Sequence, residues 1–296
     1  MLREADRIEP AVGSNRSAMD LSIIIVSYNT QKLLRDCIQS VIDSTKDISY
    51  EIIVVDNNST DGSQQILNET YPDIKLLCNK DNVGFSRANN QGFRVSSGQY
   101  LLFLNSDTIV SNNAVLKMVD YMKENQEAGI VGPKILNERH QPTRSYMQFM
   151  DAGTLFLGSK NLRFLFDVEK HRLHFSQYDY DSIQNVPWLS GASLMIARNI
   201  FEEAGLFDER YFLYLEDMDL CLQVHKRGYQ VVYFPRAEIT HLFGGSSHQQ
   251  HDRLNQLYNE SMAYYFHKNY PGLQYFLAKL YIRLFTNIVR RREHTS

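Results

Sequence analysis

The chain has 296 residues, 43% hydrophobic, 12% aromatic and 22% charged, with a formal net charge of -3. This composition fits one large α/β domain or two smaller ones with a well-buried core, and the absence of a strongly basic domain argues against general nucleic-acid binding. Three cysteines, Cys37, Cys78 and Cys221, lack C-x-x-C spacing, so neither a disulfide framework nor a zinc cage is indicated and a reducing cytoplasm is the expected location. Residues 1–20 carry Arg3, Asp6, Arg7, Glu9 and Pro10 without an apolar core, which reads as a disordered tail and not as a secretory signal.

Leu21 to Ser27 is apolar and β-branched and predicts a buried first strand. Thr30 is placed to cap a helix whose apolar residues Leu33, Leu34, Cys37, Ile38, Val41 and Ile42 recur at helical spacing. Glu51 to Val55 is a second buried strand, running into the turn formers of Asp56 to Gly62. Strand, helix and strand in this order make a right-handed βαβ unit with a parallel sheet, so both strands end on one edge. A helix from Ser63 to Tyr71, a strand from Ile74 to Cys78, the Asn82-Val83-Gly84-Phe85 loop and a helix through Asn90 and Phe93 follow. The apolar run from Leu101 then stops in Asn105-Ser106-Asp107, as expected of a strand buried on both faces. Helix Asn113 to Glu124 and strand Gly129 to Val131 complete an alternating half with the signature of a nucleotide-binding sheet.

Beyond it, Arg139 to Gln184 mixes aromatics, charges, His171 and His174 without period and reads as an insertion. Trp188 to Ala197 regains strand character, Asn199 to Gly205 is a short helix, and Glu216 to Arg227 is a longer one closing on Gly228. Tyr229 to Phe234 is a strand that Pro235 is expected to break. Leu254 to Tyr270 is helical, and Pro271 separates it from a last helix, Leu273 to Arg292. There Leu273, Phe276, Leu277, Leu280, Leu284, Phe285 and Ile288 alternate with Lys279, Arg283 and Arg290 to Arg292, charges that exclude a transmembrane span. An amphipathic basic helix either packs on its own domain or lies in an anionic membrane interface, and the three arginines favour the membrane.

Open α/β sheets bind ligands outside the carboxyl ends of their strands, where Asp56 and Asp107 fall. Asp56 can accept the N3–H of uracil or thymine, or it can close an Asx-type turn. Asn82 to Phe85 and Ala88-Asn89-Asn90-Gln91-Gly92 offer glycine and amides for close approach to a ligand, though ordinary turns use the same residues. Asp107 can supply an oxygen to a hard cation, with Asn105 a neutral helper, since Mg or Mn takes one or two protein carboxylates plus phosphate oxygens and water. Glu216, Asp217 and Asp219 put three carboxylates at the start of a helix, more than partnership with its dipole needs. Adjacent carboxylates repel, which raises the proton affinity of one and suits it to general-base work. His241 stands alone before Gly244, Gly245, Ser246 and Ser247, and a lone histidine is more often structural than a ligand.

In order and content these segments resemble the family 2 glycosyltransferases, inverting enzymes, and within them the bacterial rhamnosyltransferase-like branch. The resemblance spans about Leu21 to Tyr270 and rests on Ile24 to Asn29, Val54 to Gly62, Asn82 to Phe85 with Ala88 to Gly92, Leu104 to Asp107, Leu189 to Ala192, and Tyr214 to Cys221 with the trailing His241-Leu-Phe-Gly-Gly-Ser. It implies an α/β GT-A fold with a Rossmann-like nucleotide-binding half, a mixed central sheet and C-terminal helices. The expected division is a glycosyltransferase domain over 21–250, with a nucleotide-sugar half over 21–131 and an acceptor half over 132–250, followed by C-terminal helices over 251–296.

The resemblance also implies roles. Ser27, Tyr28, Asn29, Asp56, Asn58, Asn82, Gly84, Phe85, Asn89 and Ser106 would line the nucleotide site. Asp107, at the last position of the family's D-x-D motif, and His241 would hold Mg or Mn on the diphosphate. Asp217 would be the general base beside Glu216, and Trp188, Ser190, Gly191 and Ala192 would form the acceptor and sugar pocket. Asn105 stands where the motif has its first acid, leaving the metal fewer anionic protein ligands. The implied reaction moves a sugar from dTDP-rhamnose or a UDP-sugar to a hydroxyl of a growing surface glycan, lipid-linked or free, at the inner face of the cell membrane. A catalytically silent nucleotide-sugar-binding protein of the same fold is the alternative. A nucleotidyltransferase would need a glycine-rich, basic loop after the first strand, which Ser27-Tyr28-Asn29-Thr30 is not.

Overall fold

Side chains alternate across the strands and so build two cores: Leu101 and Phe103 enter one, Leu102 and Leu104 the other. The computed structural model describes residues 19–151, 153, 155, 178–242 and 251–293, with side chains of the last segment from 252 to 284. The expected N-terminal tail up to residue 18, His171 and His174, and Gly244 to Ser247 fall outside the described residues.

The first half follows the expected order: β1 (Leu21–Ser27), α1 (Gln31–Ser44), β2 (Tyr50–Asp56), α2 (Ser63–Thr70), β3 (Lys75–Cys78), α3 (Phe85–Arg94), β4 (Tyr100–Asn105), a short β5 (Thr108–Val110) that the sequence did not signal, α4 (Ala114–Glu124) and β6 (Ala128–Leu136). The second half holds β7 (Tyr146–Met147), β8 (Gln184–Asn185), β9 (Trp188–Leu189), β10 (Ser193–Ala197), α5 (Arg198–Ala204), α6 (Glu216–Lys226), β11 (Gln230–His241), α7 (His251–Asn269) and α8 (Leu273–Glu293). The main sheet runs β3-β2-β1-β4-β10-β6-β11-β5, with β8 on β11, and β7 pairs β9 in a second small sheet. β1 is parallel to β2 and β4, and β10 is antiparallel to β4 and β6, so the sheet is mixed and continuous across the middle of the chain.

Residues of α1, α2 and α4 cover one face of the sheet, with Leu34, Ile38, Val41, Leu67, Val115 and Met118 buried. Residues of α3, α5, α6 and α7 cover the other, among them Phe93, Phe201, Leu220, Tyr265 and Phe266. Gly92 lets α3 lie close on β1: a Cβ there would meet Ile24 Cγ2 at 2.6 Å.

Three expectations differ from the structure. Thr30 does not cap α1 with its side chain; its hydroxyl is engaged with Ser27 and Ser106, and Asp61 Oδ2 accepts the Gln31 N–H at 2.8 Å instead. Pro235 does not end the last strand. The register of β11 against β6 jumps between Phe234 and Glu238, a bulge that absorbs the residue without an N–H, and the strand continues to His241. Trp188 to Ala197, read as one strand, is two short ones with Ser190-Gly191-Ala192 between them.

Candidate active site

Parallel pairing aligns three strand ends: Ser27 lies opposite Asp56, and Val26 opposite Asn105. Asp56 is fully buried. Its Oδ1 accepts the Ser59 N–H at 2.9 Å and Gln64 Nε2 at 2.6 Å, while Oδ2 is buried with no hydrogen-bond partner among the described residues. One side chain thus closes an Asx turn and still presents an acceptor, so the two readings of Asp56 do not compete.

The loops after these strands brace each other. Ser27 Oγ, Thr30 Oγ1 and Ser106 Oγ form a hydroxyl chain with spacings of 3.1 and 3.0 Å. Asn29 and Asn58 take left-handed backbone, φ 54° and 67°, which asparagine tolerates better than most residues. The Asn29 N–H donates to Ser59 Oγ at 2.9 Å, and its Oδ1 accepts the Thr60 N–H at 2.8 Å. Tyr28 is 41% exposed, and Asn58 is exposed as well.

Gly84, at φ +87°, is pressed against Phe212: a Cβ would lie 2.7 Å from the Phe212 carbonyl oxygen, which accepts the Phe85 N–H at 2.7 Å. Asn57 Nδ2 donates to Gly84 O, Asn82 Oδ1 accepts the Gly84 N–H, and Asn89 Nδ2 donates to Phe85 O. Asn89 Oδ1 is buried without a partner. The glycine loop is therefore clamped between the end of β2 and the segment leading into α6.

Because β11 runs past its bulge, His241 pairs with Thr108 of β5. His241 Nε2 stands 3.0 Å from Asp107 Oδ1, and the Leu242 N–H donates to Asp107 O. The separation is that of a hydrogen bond, and the two side chains would offer Mg or Mn a carboxylate oxygen and an imidazole nitrogen if an ion took the place of that bond. Among the described residues no third histidine, cysteine, aspartate or glutamate joins it. Phosphate oxygens and water would have to complete such a shell.

Tyr214 and Leu215, at φ 73° and 66°, form a strained left-handed entry to α6. In the first turn, Asp217 Oδ2 accepts the Gly191 N–H and Oδ1 the Met218 N–H, both at 2.7 Å. Burial pushes the Asp217 carboxyl up to about 6, against those two N–H groups and the Trp188 indole, which favour its charged form. Among the described residues the indole N–H has no acceptor in hydrogen-bonding geometry, and it acts on Asp217 as a nearby dipole. Burial first, and the Asp217 charge second, hold Glu216 well above the usual carboxylate range; its Oε2 is buried without a partner. Burial and the neighbouring Asp217 charge thus both oppose loss of the Glu216 proton.

Ala192 O accepts the Asn105 N–H at 3.1 Å, and Ser190 N–H donates to Ser145 O. The Ser190-Gly191-Ala192 turn thus bridges Asp217 to the loop carrying Asp107, and the Gly84–Phe212 contact links the α6 entry to the end of β2. The segments that carry Asp56, Asp107 and Asp217 thus brace one another. Asp219 is not part of this group. It is 2% exposed, paired with Lys268 Nζ at 2.6 Å and Asn269 Nδ2 at 2.8 Å, and fastens α7 to α6. It borders a recess of about 480 Å3 with Arg94, Asp208, Arg210 and Lys268, which contains none of the expected site residues. Thr30, Ser59, Gln64 and Phe212 were not expected at the site; they act through backbone or single side-chain contacts that no motif marks.

Residues 22–204 match the family described as glycosyl transferase family 2. The N-acetylglucosaminyl-diphospho-decaprenol L-rhamnosyltransferase of Mycobacterium tuberculosis (strain CDC 1551 / Oshkosh) is 28% identical over 238 residues, 75% of this chain and 75% of its own. Rhamnosyltransferase WbbL of Escherichia coli (strain K12) is 24% identical over 226 residues, 74% of this chain and 82% of its own. The crystal structure of GalNAc-T7 with UDP, GalNAc and Mn2+ shares the fold, with a TM-score of 0.61 at 15% identity over 93% of this chain and 58% of that one. With the family matched over most of its length and the GT-A sheet and helices in place, the chain belongs to glycosyl transferase family 2, as a rhamnosyltransferase-like glycosyltransferase.

Proposed function

We propose that the protein transfers a sugar, with inversion at the anomeric carbon, from a nucleoside-diphosphate sugar to a hydroxyl of a growing surface glycan. The observation that carries this reading is Asp217, a carboxyl that burial pushes up to about 6, held by the N–H groups of Met218 and of Gly191, whose turn bonds Asn105 through Ala192 O. dTDP-rhamnose is the favoured donor, since two relatives are named for rhamnose transfer. A UDP-sugar is the alternative, because uracil and thymine offer Asp56 Oδ2 the same N3–H. A lipid-linked acceptor is the one named for the mycobacterial relative.

Asp217 is mostly ionised at neutral pH and takes the proton of the acceptor hydroxyl as that oxygen attacks the anomeric carbon. The bond from that carbon to the diphosphate breaks on the opposite face, so configuration inverts. None of the expected site residues is lysine or arginine, so a diphosphate needs another source of positive charge. Asp107 and His241 would hold a divalent cation, Mg or Mn, whose contribution is neutralisation of charge on the departing diphosphate. On this reading residues 21–131 serve the donor, 132–250 the acceptor and 251–296 the approach to the membrane.

No helix of the described residues is long and apolar enough to cross a membrane. α8 nevertheless exposes Leu273, Phe276, Leu280 and Leu284 along one face, with Lys279, Arg283 and Arg290 to Arg292 in the same helix. That combination supports contact with an anionic lipid surface at the cytoplasmic face of the cell membrane.

A panel of nucleotide sugars, with and without Mn, tests the proposal by thermal stabilisation and donor hydrolysis. A true donor at about 100 times its Kd should stabilise by about 2.7 kcal/mol. If no nucleotide sugar stabilises the protein or is hydrolysed, the proposal fails; stabilisation without hydrolysis or transfer favours the catalytically silent alternative.

A further inference from the structure

α7 is fixed on the strained entry to α6. Ser261 Oγ donates to Leu213 O at 2.8 Å, and Met262, Tyr265 and Phe266 are buried in the core. One turn earlier on α7, the Tyr258 ring meets the Tyr214 ring edge-on, with centroids 5.9 Å apart and planes at 69°. Tyr214 immediately precedes Leu215 and Glu216, so this aromatic pair stands at the mouth of the Glu216–Asp217 turn. Tyr258 is 36% exposed, yet burial is the main reason its phenol is pushed up, with Tyr281 of α8 and Asp217 adding to the effect. The ring thus keeps a water-exposed part while it packs on Tyr214, and it lies within electrostatic reach of Asp217. Burial and the nearby Glu216 push the Tyr214 phenol up in the same way.

We infer that Tyr258 and Tyr214 form an aromatic wall beside Asp217 against which the acceptor's sugar ring packs, so that the C-terminal helices supply part of the acceptor site. A pyranose has one largely C–H face, and laying it on an aromatic ring removes apolar surface of both from water. The same contact fixes the plane of the ring while a hydroxyl at its edge reaches the carboxylate, which proton transfer requires. A carboxylate and backbone amides alone would hold the acceptor only by polar groups that water competes for. α7 packs on α8, whose apolar face is exposed, so an acceptor with a lipid tail could enter along these helices with its sugar at Tyr258.

This inference rests on the transferase reading, and its test separates the two. Initial rates are measured with octyl β-glycosides of N-acetylglucosamine, glucose and galactose as acceptors, alongside donor hydrolysis without acceptor. Tyr258→Ala should raise the KM of an accepted glycoside about tenfold, the loss expected on removing one stacked face. Donor KM and donor hydrolysis should stay within about twofold, because uniform acceptor binding alone is lost. Tyr258→Phe, which keeps the ring, should behave as wild type. An unchanged acceptor KM in Tyr258→Ala overturns the inference, as does an equal fall in donor hydrolysis, which would mark Tyr258 as structural. If wild type hydrolyses donor but glycosylates none of the three, the wall does not take a sugar and only the transferase reading stands. If it does neither, both fall.

Discussion

Asp217→Asn removes the proton acceptor while keeping the side chain's volume. With a pKa of about 6, Asp217 is about 90% ionised at pH 7 and about 10% at pH 5, so the wild-type transfer rate should rise nearly tenfold over that range and then level off. General-base catalysis typically supplies about 10²- to 10⁴-fold, so the variant should lose at least about 10² in turnover and the acid limb with it. Glu216→Gln should keep the limb near pH 6, because burial is the main cause of the raised Asp217 value and remains in that variant. Stability offers an independent check. The folded-state pKa stands above the ordinary 3.8, so the stabilising contribution is fully present below about pH 4 and lost as pH rises through about 6. A shift of about two units corresponds to about 3 kcal/mol, so between pH 4 and 8 wild type should lose about that much relative to Asp217→Asn in urea denaturation. A variant that retains the acid limb, or an undiminished rate, would refute the assignment of the base.

Asp56→Asn replaces the unpartnered Oδ2 by an N–H donor while Oδ1 goes on accepting from Ser59 and Gln64; preference should turn from UDP or dTDP towards CDP by about 10- to 100-fold, read by competition calorimetry. Asp107→Ala should abolish the Mn-dependent part of nucleotide binding, and unchanged affinity in the presence of Mn would count against Asp107 as a ligand. Gly84→Ala forces a Cβ against the Phe212 carbonyl at φ +87°, and chemical denaturation should show a loss of about 1–3 kcal/mol. Phe276→Asp with Leu280→Asp should reduce cosedimentation with vesicles containing phosphatidylglycerol several-fold while leaving donor hydrolysis intact.

The alternating half of the fold was legible because its strands are short apolar runs between turn formers, and a parallel sheet needs little else to order β1, β2 and β4. Pairing between distant segments was not legible. Nothing in Ser193–Ala197 says that it enters between β4 and β6, yet that insertion puts Ala192 O on the Asn105 N–H and brings Gly191 to Asp217. Pro235 misled because a proline forbids a ladder donor, and the bulge that accommodates it is a property of two strands, not of one. The run Glu216, Asp217 and Asp219 looked like one acidic cluster. Helical geometry divides it, with Asp219 turned to Lys268 and Asn269, partners far along the chain that no local pattern ties to it.

Hydrogen-bond satisfaction gives a ground for the site that no motif enters. Among the described residues, six buried side-chain atoms without a partner are hydroxyl oxygens: those of Thr45, Ser86, Ser145, Ser193, Tyr211 and Tyr265. The remaining four are Asp56 Oδ2, Asn89 Oδ1, Trp188 Nε1 and Glu216 Oε2, and all four belong to residues that the sequence assigns to the donor site, the acceptor pocket or the catalytic pair. A rotatable hydroxyl readily adapts to imperfect surroundings, whereas a buried carboxylate or amide oxygen left unmatched is destabilising by about 1–3 kcal/mol. Two successive left-handed residues, Tyr214 and Leu215, add strain in the same region. The coincidence of these four atoms with the proposed site residues supports the proposal, since groups of the substrates would supply the missing partners.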